Sequence, residues 1–250
     1  MKKAILFAVA LLLTATSLFA AENKNKTVTY KSGDETVSGE LYTPTGKGPF
    51  PALIVIHEWW GLNDWVKEQA EKLSAEGYTT LAVDLYRGKV ATTPEEAHEI
   101  MRGVPEDRAK RDLHAAFEFL ASQPNVSTDR IGAIGWCMGG GYALDVALQE
   151  PTLAADVINY GHLVTDPESM KKIHAPILGI FGAQDKGIPV AGVRKFGEQL
   201  DKLGKKVEIK IYDDAGHAFE NPNNKEGYRA ADAEDAWKRT VDFLASTLKK

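Results

Sequence analysis

The chain predicts an α/β fold on a mainly parallel central sheet with helices on both faces. Three observations carry this expectation. Short apolar runs that read as strands alternate with amphipathic segments that read as helices, which is the pattern of βαβ units. The run Pro51-Ala52-Leu53-Ile54-Val55-Ile56 is apolar at every position, as a strand buried on both faces must be. The 250 residues, 44% hydrophobic and 26% charged, suit one globular domain of this size and give no sign of disorder or repeats.

The first twenty residues read as a secretory signal. Met1-Lys2-Lys3 is a positive start, residues 4–13 are apolar and uncharged, and Leu18-Phe19-Ala20-Ala21 supplies the small residues of a cleavage site after Ala20 or Ala21. The apolar run is short for a spanning helix, and no cysteine lies near the cleavage point for a lipid anchor. The expected product is exported, periplasmic or secreted, without stable membrane association, and organised as one domain over residues 27–250. A monomer is expected. Cleavage removes Lys2 and Lys3 and no acid. The formal net charge of the full chain is −5, and an acidic chain without basic clusters argues against a nucleic-acid partner.

The remaining elements follow in order. Residues 27–30 and 35–42 read as strands joined by a turn at Ser32-Gly33-Asp34, an antiparallel edge. Residues 43–50 are a Pro- and Gly-containing loop. The buried strand 51–56 stops at His57-Glu58-Trp59-Trp60-Gly61, and residues 63–76 are an amphipathic helix. Strand 78–85 ends at Asp84-Leu85-Tyr86-Arg87-Gly88. Thr93 and Pro94 open a helix as its cap and first residue. Residues 106–121 place Leu113, Ala116, Phe117 and Leu120 at helical spacing. Strand 130–134 precedes the glycine-rich stretch at 135–141, and residues 142–149 are a helix. Strands follow at 155–159, 176–181 and 207–212, with a helix at 190–203 between the last two. Residues 230–248 form a closing helix with Trp237, Val241 and Leu244 on one face.

The stretch Gly135-Trp136-Cys137-Met138-Gly139-Gly140-Gly141 contains the only cysteine in the chain. A strand, then Gly-x-nucleophile-x-Gly, then a helix is the layout of a nucleophile elbow. The turn is so tight that a Cβ at either flanking glycine would collide with neighbouring backbone. The nucleophile then stands at a helix N-terminus, where backbone N–H groups favour negative charge. An exported chain with one thiol forms no internal disulfide, and the glycine frame turns a stray cysteine into a candidate nucleophile, since its thiolate is reactive without further chemistry.

An elbow nucleophile needs a base, and the base an orienting acid, in the chain order nucleophile, acid, histidine. His217 follows the last strand, at the sheet edge where such a site lies. His174 precedes a strand and belongs at the opposite edge, while His162 remains open as an alternative. Asp185, in the loop after strand 176–181, is the candidate acid, and Asp213 and Asp214 are alternatives that sit close enough to His217 to shape its turn. Glu58 is a carboxylate directly after a buried strand, where an unpartnered charge is costly. It reads either as a rim ion pair with Arg87 or as a group beside the thiol that shares its proton. The N–H groups of Met138 and Trp59 are the candidate oxyanion donors. Trp60, Tyr86 and Tyr160 belong near the mouth of the site with Trp59 and Trp136.

Together these residues resemble the dienelactone hydrolase family of α/β-hydrolases. The marks are Gly135-Trp136-Cys137-Met138-Gly139-Gly140, His57-Glu58-Trp59-Trp60-Gly61, Asp84-Leu85-Tyr86, the Asp185 loop and Ala215-Gly216-His217-Ala218-Phe219. The resemblance covers the chain from about Thr27 onward and implies an α/β-hydrolase fold. It implies a Cys137–His217–Asp185 triad that forms a thioester, with Glu58 holding the thiol proton until substrate displaces it. The implied reaction is hydrolysis of a small ester or lactone, carboxymethylenebutenolidase-like, with no cofactor and no metal. Known members hold an acidic substrate with arginines. Here Arg87 stands one position early, and Asn221 takes the place four residues after the histidine, where it cannot form a guanidinium fork. This departure points to substrates other than dienelactone. The competing reading is a non-hydrolytic thiol protein that binds or senses oxidants, and peptidase activity is a third.

Overall fold

In the computed structural model, residues 24–250 are described. The expected signal segment and its cleavage site lie outside these residues. Strands β1 (Lys24–Ser32) and β2 (Glu35–Thr43) form an antiparallel hairpin. It starts earlier than the expected 27–30, since the polar Lys24, Asn25 and Lys26 pair with β2 without giving a hydrophobic pattern. Strand β3 (Phe50–Ile56) is buried from Pro51 to Ile56, and it lies between β4 (Thr79–Val83) and β5 (Val126–Trp136), parallel to both. Strands β6 (Ala155–Asn159), β7 (Ile177–Gly182) and β8 (Val207–Tyr212) extend the parallel sheet. The order is β1-β2-β4-β3-β5-β6-β7-β8, with β2 antiparallel to β4. β5 is longer than the expected 130–134 stretch. Its leading Ser127-Thr128-Asp129 is polar and partly exposed, so hydrophobic patterning does not reveal it.

Helices cover both faces because β3 is apolar at every position while its side chains alternate between the two faces. Leu53 and Val55 pack on one face with Val66, Ala70 and Leu73 of α1 (Asp64–Ala75) and with Ala236, Leu244 and Leu248 of α7 (Ala230–Leu248). Ile54 and Ile56 pack on the other with Leu113, Ala116 and Leu120 of α3 (Glu106–Ala121) and Ala143 of α4 (Met138–Gln149). Val193, Phe196 and Leu200 of α6 (Val190–Lys202) cover Ile158 and Ile177. Each Val, Leu, Ile or Phe side chain among these, fully buried, contributes about 1.5–3 kcal/mol, and each alanine less.

Caps mark where helices begin. Asn63 accepts a bond from Val66 N–H at the start of α1, and Thr93 does the same for Glu96 N–H in α2 (Pro94–Arg102), with Pro94 in its first turn. The short α5 (Pro167–Lys171), absent from the expected elements, is opened by Asp166, whose side chain accepts from Glu168 and Ser169. α4 begins four residues before the expected 142, immediately after Cys137. Gly139 to Gly141 carry no side chains from which periodicity could be read.

Six parallel strands run the same way, so the loops after β3, β4, β5, β6, β7 and β8 gather at one edge of the sheet, as in open α/β sheets that hold a site there. The close approach at this edge is made possible by missing side chains. A Cβ on Gly135 would fall on the Gly139 carbonyl, and one on Gly139 would fall on the Ile56 carbonyl. Neither contact is to a movable side chain. Gly135→Ala is therefore expected to destabilise the fold by at least about 3 kcal/mol, read as a lower urea midpoint with unchanged slope.

Candidate active site

Cys137 occupies the turn between β5 and α4 with φ +56° and ψ −119°, a conformation that a residue with a Cβ adopts only under constraint. The constraint is visible in its hydrogen bonds. Cys137 N–H donates to Asn159 O at 3.0 Å, and its carbonyl accepts from Gly140 N–H and Gly141 N–H. Asn159 in turn donates its Nδ2 to Gly135 O at 3.0 Å. Tyr160 and Ala218, both beside the site, are also at positive φ.

The half-buried Cys137 thiol faces a cavity of about 1410 Å³. His217 Nε2 lies 3.0 Å from Cys137 Sγ, and His217 Nδ1 lies 2.7 Å from Asp185 Oδ2. A carboxylate can only accept, so Nδ1 carries a proton, and Nε2 faces the sulfur. The other Asp185 oxygen accepts from Gly187 N–H and Ile188 N–H at 2.8 and 3.1 Å. Burial alone would raise the Asp185 pKa, but the bond and charge of His217 and these two amides outweigh it and hold the carboxyl below its ordinary range. For His217, burial opposes charge, but the bonds to Asp185 and Cys137 prevail, and its pKa is pushed up to about 10.

The alternatives sort themselves by place. His162 lines the same cavity, but the ring bonded to the sulfur is that of His217. Asp213 and Asp214 are exposed, and their carbonyls accept from Gln184 and Arg229, which ties the turn that carries His217.

Glu58 is 1% exposed and lines the cavity. Its Oε2 accepts from Asn221 Nδ2 at 2.7 Å. Burial pushes its pKa up to about 7 against the smaller opposing effects of Asn221 and His217. The alternative reading of Glu58, an ion pair with Arg87, is not formed. Arg87 Nη2 lies 2.7 Å from both Glu35 and Asp112, and it is not among the residues that line the cavity. Asp112 is 2% exposed and needs that counter-charge, so Arg87 serves the frame and does not reach the substrate space. Tyr86 is likewise buried behind the wall. Its hydroxyl bonds Trp59 O and approaches Met138 Sδ instead of entering the cavity. Trp59, Trp60, Met138, Tyr160 and Asn221 do line it. Met138 is the first residue of α4, where helical N–H groups have no intrahelical acceptor.

Two features escaped the sequence reading. Glu220 Oε2 accepts from Trp136 Nε1 at 3.1 Å, and burial pushes its pKa up to about 8, with Glu58 adding to the shift. The far wall, with Leu144, Leu163, Val164 and Ile188, comes from α4 and two loops. Nothing in their local sequence distinguishes them from packing residues.

A family model described as the dienelactone hydrolase family matches residues 37–248. The chain is similar to a Methylorubrum extorquens protein provisionally named carboxymethylenebutenolidase, 34% identical over 215 residues that cover 80% of this chain and 74% of that protein. A Saccharolobus solfataricus protein with the same provisional name is 32% identical over 263 residues, covering 90% and 99%. A solved structure titled m3DLH matches with a TM-score of 0.83 at 27% identity, covering 91% of this chain and 99% of that one. The sheet order and its helices are those of an α/β-hydrolase fold.

The Glu58 geometry has a consequence for stability. Its ordinary pKa of 4.5 is raised to about 7 by folding. Between those values the folded chain binds a proton that the unfolded chain has lost, so stability falls as pH rises through this window and stays lower above it. A glutamine accepts the Asn221 bond without charge. Glu58→Gln is expected to raise the melting temperature at about pH 8 by several degrees (~2–4 °C per kcal/mol) and to change it little near pH 5, as read by calorimetry.

Proposed function

Because the chain belongs to the dienelactone hydrolase family, whose members hydrolyse esters or lactones, we propose that it cleaves a carboxylic ester or lactone through a thioester on Cys137. The observation that carries this reading is the chain of contacts Sγ–Nε2 at 3.0 Å and Nδ1–Oδ2 at 2.7 Å, set on a backbone turn held at positive φ. Nucleophile, base and orienting acid are within reach of one another in the geometry that acyl transfer needs.

The Cys137 thiolate, paired with the His217 imidazolium, attacks the carbonyl carbon, and the carbonyl π electrons move to oxygen. The N–H groups of Met138 and Trp59 donate hydrogen bonds to that oxygen as an oxyanion hole. Collapse breaks the bond to the leaving alcohol oxygen, which takes the proton from His217 Nε2. His217, kept in one orientation by Asp185, then removes a proton from water, and the hydroxide adds to the thioester. The second collapse releases the acid and returns the thiolate. In the resting site Glu58 holds the thiol proton; when substrate displaces the carboxyl, that proton passes to His217 Nε2 and gives the thiolate–imidazolium pair that starts the first step.

The lining indicates the kind of ester. Trp59, Trp60, Met101, Leu163, Val164 and Ile188 give an apolar wall; of the acids in the lining, Glu106 and Asp145 are ion-paired with Lys110, while Glu226 stands beside Lys225 in the chain. Arg87 is engaged elsewhere, and Asn221 carries no charge. An anionic substrate finds no guanidinium fork there. The substrate class is an uncharged ester or lactone with bulky apolar groups.

Two measurements test this. Cys137→Ala is expected to lower turnover of an activated ester at least about 10³-fold, and rapid quenching of the unsubstituted protein followed by mass spectrometry is expected to find the acyl group on Cys137. A thiol that oxidises but never carries an acyl group would establish the thiol-sensor alternative instead. In a substrate series, kcat/KM for neutral esters is expected to exceed that for matched carboxylate-bearing esters by about tenfold or more; selectivity for acidic lactones would refute the charge argument.

A further inference from the structure

On the acyl-transfer reading above, we propose that His57 and Tyr86 are positioning residues that clamp the two peptide groups around Trp59, and so preset the Trp59 N–H for the oxygen of a reacting carbonyl. His57 is wholly buried. Its Nε2 lies 3.3 Å from Leu85 N and its Nδ1 lies 2.6 Å from Glu58 O. An amide N–H can only donate, so Nε2 accepts, and Nδ1 carries the proton and donates to the Glu58 carbonyl. Burial lowers the ring's pKa, which keeps it neutral in this tautomer.

The Glu58 carbonyl and the Trp59 N–H are two ends of one planar peptide group. Whatever fixes the carbonyl fixes the direction of the N–H. Gly61 N–H adds a second bond to the same oxygen at 3.2 Å. The next peptide is held from the other side. Tyr86 Oη lies 3.1 Å from Trp59 O and 3.3 Å from Met138 Sδ, two acceptors for its single proton. The Tyr86 ring stands edge-on to His57, with centroids 4.7 Å apart. Thus the loops after β3 and β4 and the first residue of α4 meet at one hydroxyl and one imidazole. Bonding at the carbonyl also polarises the amide and strengthens its N–H as a donor. Neither residue is among those that line the cavity, so both act through Trp59.

The test uses an uncharged p-nitrophenyl ester, a trifluoromethyl ketone that adds Cys137 to form an alkoxide, and iodoacetamide. Iodoacetamide alkylates the thiolate by displacing iodide and generates no oxyanion. Tyr86→Phe keeps the ring and removes the hydroxyl. It is expected to lower kcat about tenfold with KM within about twofold and to weaken the ketone about tenfold, smaller than the ~10²–10³ for outright loss of an oxyanion donor, while the alkylation rate of Cys137 is unchanged. A second pair removes the imidazole. His57→Asn, whose amide N–H falls near the Nδ1 position, is expected to retain more activity and ketone affinity than His57→Gln. Unchanged kcat and ketone affinity in Tyr86→Phe overturn the proposal, as does an equal fall in the alkylation rate, which would mean general distortion around the thiol. A wild-type protein that is alkylated but never acylated overturns the acyl-transfer reading itself, and this proposal with it.

Discussion

The site depends on one close approach of backbone to backbone, where the ends of β3 and β5 meet the first turn of α4. Gly135 faces the Gly139 carbonyl and Gly139 faces the Ile56 carbonyl with no room for a methyl group between them. This contact forces the chain at Cys137 into positive φ and aims its side chain out of the sheet edge. It also brings the Trp59 peptide, two residues past His57, close to the start of α4. The nucleophile and both candidate oxyanion donors therefore share one origin. A frame made of backbone cannot relax by rotating a side chain, which is why strain at Cys137 can persist.

Around that frame, charge is distributed by burial. Asp185 is buried but satisfied by His217 and two amides, so it stays ionised. Glu58 and Glu220 are held by single neutral donors, Asn221 and Trp136, so burial raises their pKa values to about 7 and 8. Carboxyls at the same sheet edge thus differ in protonation because the number and kind of donors each one meets differ. The Glu220–Trp136 and Asn221–Glu58 bonds also tie the His217 loop to the elbow strand and to the β3 loop.

Arg87 and Tyr86 illustrate how neighbouring positions divide between frame and site. Both follow β4 at the functional edge, so strand-end reasoning alone sends both toward substrate. Arg87 turns instead to Asp112 and Glu35, because a buried carboxylate on α3 requires a counter-charge. Tyr86 turns inward, because its ring packs on His57 and its hydroxyl finds an acceptor in Trp59 O. With the guanidinium outside the cavity, no side chain in the lining offers a two-pronged cationic grip.

Local pattern was enough for the parallel sheet, the antiparallel edge, the helices on both faces and the elbow, because each has a period or a glycine spacing that depends only on neighbours in the chain. The same local logic ranked Cys137, Asp185 and His217 as one set, since parallel strands deliver their following loops to a common edge. It missed the polar start of β5 and the short α5, which carry little hydrophobic signal, and it started α4 late where glycines leave no side chains to count. Only the tertiary structure decided which way side chains at that edge point. That Arg87 serves Asp112, that Asn221 holds Glu58, that Glu220 meets Trp136, and that Tyr86 closes on Trp59 are contacts between residues 25 to 163 positions apart. Their energies depend on burial and on partners brought in by the fold, and no window of sequence contains both halves of such a pair.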